Sequence, residues 1–254
     1  SCIIYMNRTP EEIEKIKLQS KLVKRFNKAC ANYHLIEDGD TILIGVSGGK
    51  DSLALIELMG RRAKIHVPKF TVKAVHVRVK ERNYQTDLQL LEDFCQQWDV
   101  PLIVADTQIG EEKGDKDPCF LCSWYRRKKM FELAKTLGCN KIALGHHLDD
   151  MVQTTLMNLI FQGSFGGIAP CLQMDKMPIQ MIRPLCLIEE KHIARYAELS
   201  FYPKQIKLCP FEKESSRTDV KNILTTLEKL NPHVKNSVWE AMEKYWDKKA
   251  QETI

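Results

Sequence analysis

The sequence predicts an α/β fold, a parallel sheet flanked by helices with helical extensions at both ends. Three observations lead there. Between residues 41 and 199, short apolar runs alternate with longer segments of helical period, the pattern of a parallel sheet covered by helices. A strand, a glycine turn and a helix start meet in one junction, residues 41–55. After Phe201 the strand signal stops, and two helical patterns close the chain. At 254 residues the chain can bury a large core. The expected boundaries are an N-terminal helical extension over 1–36, the sheet domain over 37–202, and a cysteine loop with helical extension over 203–254.

Each element follows from local pattern. Residues 11–34 have a helical apolar stripe of Ile13, Ile16, Val23, Phe26, Cys30 and Tyr33. Lys15, Lys17, Lys21, Lys24, Arg25 and Lys28 spread over its other faces, as a solvated surface or as contacts to RNA backbone. Residues 41–46 read as a buried strand, 47–52 as a loop, and 52–65 as a helix that ends before Pro68. The valine-rich run 70–79 is the second strand. His76 within it reads as a core or ligand-lining residue. A helix over 85–98 precedes a third strand at 101–105. Residues 106–118 read as a polar loop, and a helix follows the Cys119–Cys122 motif as far as Leu137. Strand four covers 141–145, a helix 151–161, a glycine-bearing loop 163–170 and an irregular stretch 171–180. A short fifth strand at 181–185, a helix at 189–199, a polar loop at 203–216 and helices at 217–230 and 233–246 complete the chain. Right-handed crossovers put the carboxyl ends of the strands on one rim, where functional loops gather.

The junction Ser47-Gly48-Gly49-Lys50-Asp51-Ser52 carries the clearest chemistry. Two glycines allow a turn closed to other residues and leave main-chain N–H groups free to face a ligand. With the following helix N-terminus they make a pocket for an anion. Ser47 and Ser52 add hydroxyls, Lys50 a positive charge, and Asp51 a carboxylate for Mg²⁺ or for fixing the loop. This is a nucleotide-phosphate site at the carboxyl end of a strand. It is not the G-x-x-x-x-G-K-[ST] loop of common ATPases.

Hydrophobic content of 44% and charged content of 28% are ordinary for a soluble protein. No apolar stretch reaches the roughly 18 residues of a membrane span. The charged run from Arg8 to Lys28 does not read as a secretion signal. A net charge of +5 suits a nucleic-acid partner without demonstrating one. Nine cysteines, an odd number, argue against a disulfide-stapled secreted fold and for a reducing, cytoplasmic setting.

Cys119 and Cys122 can point at one centre, as a redox pair, a zinc site or an iron–sulfur cluster. Arg126, Arg127 and Lys128 favour their thiolates. There is no second C-x-x-C, so a four-cysteine zinc knuckle lacks ligands. Cys209 is the only other cysteine in a strongly polar loop. Three thiolates with a gap suggest a [4Fe–4S] cluster with one open iron; zinc with a histidine from His146, His147 or His233 stays open. Cys2, Cys30, Cys95, Cys139, Cys171 and Cys186 read mostly as small core residues.

With these residues in view, the phosphate loop resembles that of the PP-loop ATP pyrophosphatases. The chain as a whole resembles the tRNA 2-thiocytidine synthetases, the TtcA-like branch of that superfamily. The matching stretches are Ser47–Ser52, Cys119-Phe-Leu-Cys122 with Arg126 and Arg127, Gly145-His146-His147-Leu148-Asp149-Asp150, Arg183-Pro-Leu185 and the late Cys209. The resemblance covers roughly residues 20–245. The resemblance implies a Rossmann-like adenine nucleotide alpha hydrolase fold and carries cluster-binding over to Cys119, Cys122 and Cys209. Relatives often show a second cysteine three positions after the last of these, where this chain has Glu212.

The resemblance also implies an activity: a cytidine C2 oxygen in a tRNA, in the anticodon loop for the family, attacks the α-phosphate of ATP. Pyrophosphate leaves, and sulfur from sulfide or a cysteine desulfurase persulfide displaces AMP. Ser47, Gly48, Gly49 and Ser52 would hold phosphates and Lys50 offset their charge. Asp51 would place Mg²⁺, with Asp149 or Asp150 as second candidates. Arg126 and Arg127 would neutralise phosphate charge, and His76, Gly145, His146 and His147 would border the nucleotide. A homodimer is compatible with this reading. Two rivals stand beside it: a PP-loop enzyme that adenylates a base for attack by a nitrogen nucleophile, and a zinc-stabilised nucleotide- or RNA-binding module.

Overall fold

The computed structural model of the chain describes residues 8–80, 87–109, 118–204 and 216–252. In chain order its elements are α1 (Pro10–Asn32), β1 (Thr41–Gly45), α2 (Lys50–Ala63), β2 (Thr71–Val79), α3 (Leu88–Gln97), β3 (Leu102–Thr107) and α4 (Pro118–Thr136). Then follow β4 (Lys141–Ala143), α5 (Leu148–Gln162), β5 (Cys171–Gln173), β6 (Gln180–Ile182), α6 (Glu190–Leu199), α7 (Ser216–Leu230) and α8 (Val234–Glu252).

The strands form one sheet in the order β3-β2-β1-β4-β6-β5. All neighbours pair in parallel except β5, which runs antiparallel to β6 at the edge. β1 lies between β2 and β4, so the chain reverses its direction of travel across the sheet there. A ligand crevice opens outside the strand ends at such a point, and the glycine turn after β1 sits on it.

The two faces of the sheet bury different things. Ile42 and Ile44 of β1 face the larger core, with Leu53, Leu55 and Ile56 of α2, Phe26 of α1, Met151 of α5 and Met242 of α8. Leu43 faces the other way, against Met130, Phe131 and Ala134 of α4. Alternation along β1 therefore pins α2 and α4 to opposite faces of one strand. Both start above the same rim.

The elements largely follow the sequence pattern, with instructive shifts. α1 opens with Thr9 and Glu12 capping each other, at 2.7 and 3.2 Å. Its buried stripe is Leu22, Phe26, Ala29 and Cys30; Ile16 is exposed, because α6 covers the side one position round. Residues 171–180, expected to be irregular, contain β5, and the expected strand at 181–185 is β6 at Gln180–Ile182. Met174 N–H donates to the Ile179 carbonyl at 3.1 Å and closes this hairpin. Its polar turn hides the pairing, since three-residue strands give too few alternations to register.

Candidate functional site

β1 ends at Gly45, and Val46 continues it through an N–H to the Val75 carbonyl at 2.9 Å. The chain then turns at Gly48, whose φ of +82° needs a residue without a side chain. Gly49 is the N-cap of α2 and brings no side-chain cap, so the first-turn N–H groups of that helix look toward the turn. The serines brace it from inside. Ser52 Oγ donates to the Gly49 carbonyl at 2.9 Å, Gly49 N–H donates to Ser47 Oγ at 3.3 Å, and the two hydroxyls lie 3.3 Å apart. Gly145 packs against this helix start: a β-carbon there would lie 3.2 Å from the Asp51 carbonyl carbon and the Ser52 nitrogen.

Charge surrounds the turn in an ordered way. Lys50 Nζ lies 3.2 Å from Asp51 Oδ2 and 3.1 Å from Glu190 Oε1 of α6. The other carboxylate oxygen, Asp51 Oδ1, is buried with no hydrogen-bond partner. His147 Nε2 lies 3.9 Å from it, and a carboxylate oxygen so placed has room for a further partner. Sequence reasoning missed Glu190, which carries no motif.

A cavity of about 240 Å³ opens beside the turn. Gly45, Val46 and Ser47 from the β1 end, Val75, His76 and Val77 from β2, Leu144 and His146 after β4, and Ser123, Arg126, Arg127 and Met130 from α4 line it. His76 is 2% exposed. Its Nδ1 lies 2.9 Å from the Val46 carbonyl, an acceptor only, so Nδ1 carries the proton. Burial lowers its pKa, and the charges of Arg126 and Arg78 add to that. The ring is therefore neutral, and its Nε2, buried without a partner, offers a lone pair.

The two adjacent histidines take different places. His146 lines the cavity. His147 is the N-cap of α5: its Nδ1 accepts from Asp150 N–H at 3.3 Å, and Asp150 Oδ2 accepts from His147 N–H at 3.1 Å. That cap begins α5 at Leu148, three residues before the expected start. Asp149 turns inward, with Oδ1 2.6 Å from Lys235 Nζ and Oδ2 accepting from Glu190 N–H at 2.7 Å. Both oxygens thus tie α5 to α6 and α8 beside the turn.

The cysteine pair was expected just before a helix. It lies inside the first turns of α4, because the helix already starts at residue 118. Cys119 falls four residues before Ser123, on the cavity-lining stripe, with Cys122 on its flank. Cys119 is exposed and Cys122 half-buried. Cys30, Cys95 and Cys186 differ: burial pushes the thiols of Cys30 and Cys95 up to about 12, and that of Cys186 higher still. Cys119 is the exposed cysteine among the described residues, and the α4 pair is followed by Arg126, Arg127, Lys128 and Lys129, a setting that suits a ligand thiol. Cys209 lies outside the described residues. Among the described residues no three His, Cys, Asp or Glu side chains are grouped to hold a metal ion, so His146, His147 and His233 do not complete a site with the pair.

Residues 17–203 match the family model described as a PP-loop domain. A tRNA-cytidine(32) 2-sulfurtransferase from Geotalea uraniireducens (strain Rf4) is 32% identical over 233 residues, 89% of this chain and 92% of that one. The chain belongs to this PP-loop family. A second sulfurtransferase of the same name, from Aliivibrio fischeri (strain MJ11), is 33% identical over 89% of this chain and 75% of its own length. Among solved structures, the U34-tRNA thiolase NcsA from Methanococcus maripaludis with its [4Fe-4S] cluster has a TM-score of 0.76. It is 24% identical, over 91% of this chain and 80% of that one, and shows that the PP-loop fold is shared throughout. No helix among the described residues is long and apolar enough to cross a membrane.

Proposed function

We propose that this chain is an ATP-dependent tRNA sulfurtransferase that replaces the C2 oxygen of a cytidine with sulfur. One observation carries the reading: Ser47 of the phosphate turn and Ser123, Arg126 and Arg127 of the cysteine-bearing helix line one cavity. Activation of a carbon and delivery of sulfur to it need this adjacency.

The turn and the α2 N-terminus receive the ATP phosphates, with Lys50 set against their charge. The Asp51 carboxylate would hold Mg²⁺, which would offset phosphate charge. His76 Nε2 accepts a hydrogen bond from a hydroxyl or amino group of the nucleotide. The cytidine C2 oxygen forms a bond to the α-phosphorus as the α–β bridge breaks, and pyrophosphate carries away the electron pair. Arg126 and Arg127 stabilise the charge that develops on the phosphate oxygens. Sulfide then adds at C2, AMP leaves with the former oxygen and its electron pair, and the sulfur loses its proton to give the 2-thiocarbonyl. A [4Fe–4S] cluster held by Cys119, Cys122 and Cys209 would supply a site for that sulfur.

The described residues that flank the Cys209 segment support this set. Lys221 of α7 reaches Glu190 at 2.9 Å, and Glu190 reaches Lys50. Ser216, where α7 starts, is seven positions after Cys209, a span of up to ~25 Å of extended chain. The chain between Cys209 and α7 is therefore no obstacle to the set. The target base must leave its stack to enter, which is cheapest in an unpaired loop.

The test is anaerobic reconstitution with iron and sulfide, then incubation with Mg-ATP, sulfide and a tRNA carrying a cytidine at position 32. Nucleoside analysis is expected to show 2-thiocytidine, with AMP and pyrophosphate released, and none for Cys209→Ala. A protein fully loaded with iron and sulfide that makes no thiolated base overturns the reading. ATP cleavage with a nitrogen adduct would assign the chain to the rival chemistry.

A further inference from the structure

α4 presents two stripes. Ser123, Arg126, Arg127 and Met130 line the cavity. At about 100° per residue, Phe120, Trp124 and Lys128 fall one turn apart on a second stripe, beyond Arg127. Phe120 is 55% and Trp124 46% exposed. Lys128 Nζ sits 5.5 Å from the Trp124 ring centroid, and the Tyr125 ring meets it edge-on at 4.9 Å. The indole is braced by neighbours and still faces solvent. Ser123 and Arg127, exposed at the cavity mouth, join the two stripes.

Chemistry selects the occupant. Residues 126–129 are four consecutive cations, Arg126, Arg127, Lys128 and Lys129. A second copy of the chain docking by a two-fold axis would set this cluster against itself. A single-stranded RNA segment instead offers phosphates to the cations and flat bases to the rings. We propose that the Phe120–Trp124–Lys128 ridge is an RNA-docking platform. On it, a base neighbouring the one in the cavity stacks on Trp124, and Lys128 pairs with its phosphate. This rests on the tRNA reading above and names where the rest of the loop lies.

The experiment compares full-length wild type, Trp124→Ala, Trp124→Phe and Lys128→Ala. The probes are the tRNA transcript used above and a non-hydrolysable ATP analogue. Trp124→Ala is expected to weaken tRNA binding roughly 5- to 100-fold with analogue binding unchanged, and Trp124→Phe to restore most of it. Lys128→Ala is expected to lower the salt dependence of tRNA binding by about one counterion. Emission that tRNA quenches in wild type is expected to stay unquenched in Trp124→Phe. Wild-type tRNA affinity in Trp124→Ala overturns the platform and leaves the sulfurtransferase reading standing. So does a change only in self-association, or equal loss of both ligands. A wild type that binds no tRNA removes both.

Discussion

At Gly145 the packing of one hydrogen decides whether the phosphate turn keeps its shape. A β-carbon there meets Asp51 and Ser52 main chain at 3.2 Å, and backbone at a helix start gives way less readily than a side chain. Gly45 is a useful contrast, since its β-carbon would meet side-chain ends alone, the Met130 sulfur at 2.8 Å and Leu144 Cδ2 at 3.2 Å, and the thioether can swing aside. Gly145→Ala is expected to cost ~1–3 kcal/mol of stability and to lower ATP-analogue affinity at least tenfold. Gly45→Ala is expected to keep that affinity within a few-fold; equilibrium titration of both variants checks the pair. The glycines of the turn are legible in the sequence because their need is local: two between an apolar run and a helix leave few other readings. The division of labour between His146 and His147 is not. It depends on which ring turns back to cap α5, and the two residues share composition and neighbourhood.

Element by element, legibility follows length and the distance to the partner. Strands β1 and β2 and helix α2 announce themselves by pattern. β5, three residues long, does not, and α4 begins earlier than expected because a C-x-x-C motif carries no mark of helix or loop. β4 is found by its apolar middle, yet its first residue, Lys141, has a side chain 2% exposed. Its Nζ lies 2.8 Å from Asp40 Oδ2 and donates to the Leu35 carbonyl at 3.2 Å. The partner is about a hundred positions away, so no local signal could show a buried ion pair. Without Lys141 the buried Asp40 charge keeps only neutral donors, Glu37 N–H and Asn140 Nδ2, both at 2.7 Å. Lys141→Met is expected to cost ~3–5 kcal/mol in urea unfolding. Asp40→Asn combined with Lys141→Met is expected to cost less than the sum of the two single changes. Strict additivity would show that the pair does not act as a unit.

Across the whole molecule, the phosphate turn is tied to the C-terminal helices by shared charges. Asp149 of α5, Glu189 at the N-cap of α6 and Glu228 of α7 meet at Lys235 of α8. Glu190 of α6 takes Lys50 from the turn on one oxygen and Lys221 of α7 on the other. Trp239 and Met242 of α8, Leu224 of α7 and Leu22 of α1 lie in the same core as α2, so the end helices and the sheet share one hydrophobic core. Burial pushes the Glu190 carboxyl up, but hydrogen bonds from Lys221 and Lys50, and their charges, outweigh it and bring it down to about 2. Its ordinary value is 4.5, so the folded state holds the ionised form more tightly than the unfolded chain does. The stabilisation is fully present above pH 4.5 and drains away as the pH falls toward about 2. Glu190→Gln cannot titrate. The gap in urea midpoint between wild type and Glu190→Gln is therefore expected to be widest at pH 5–7 and to close steadily from pH 4.5 downward. A gap independent of pH would mean that Glu190 acts by shape alone.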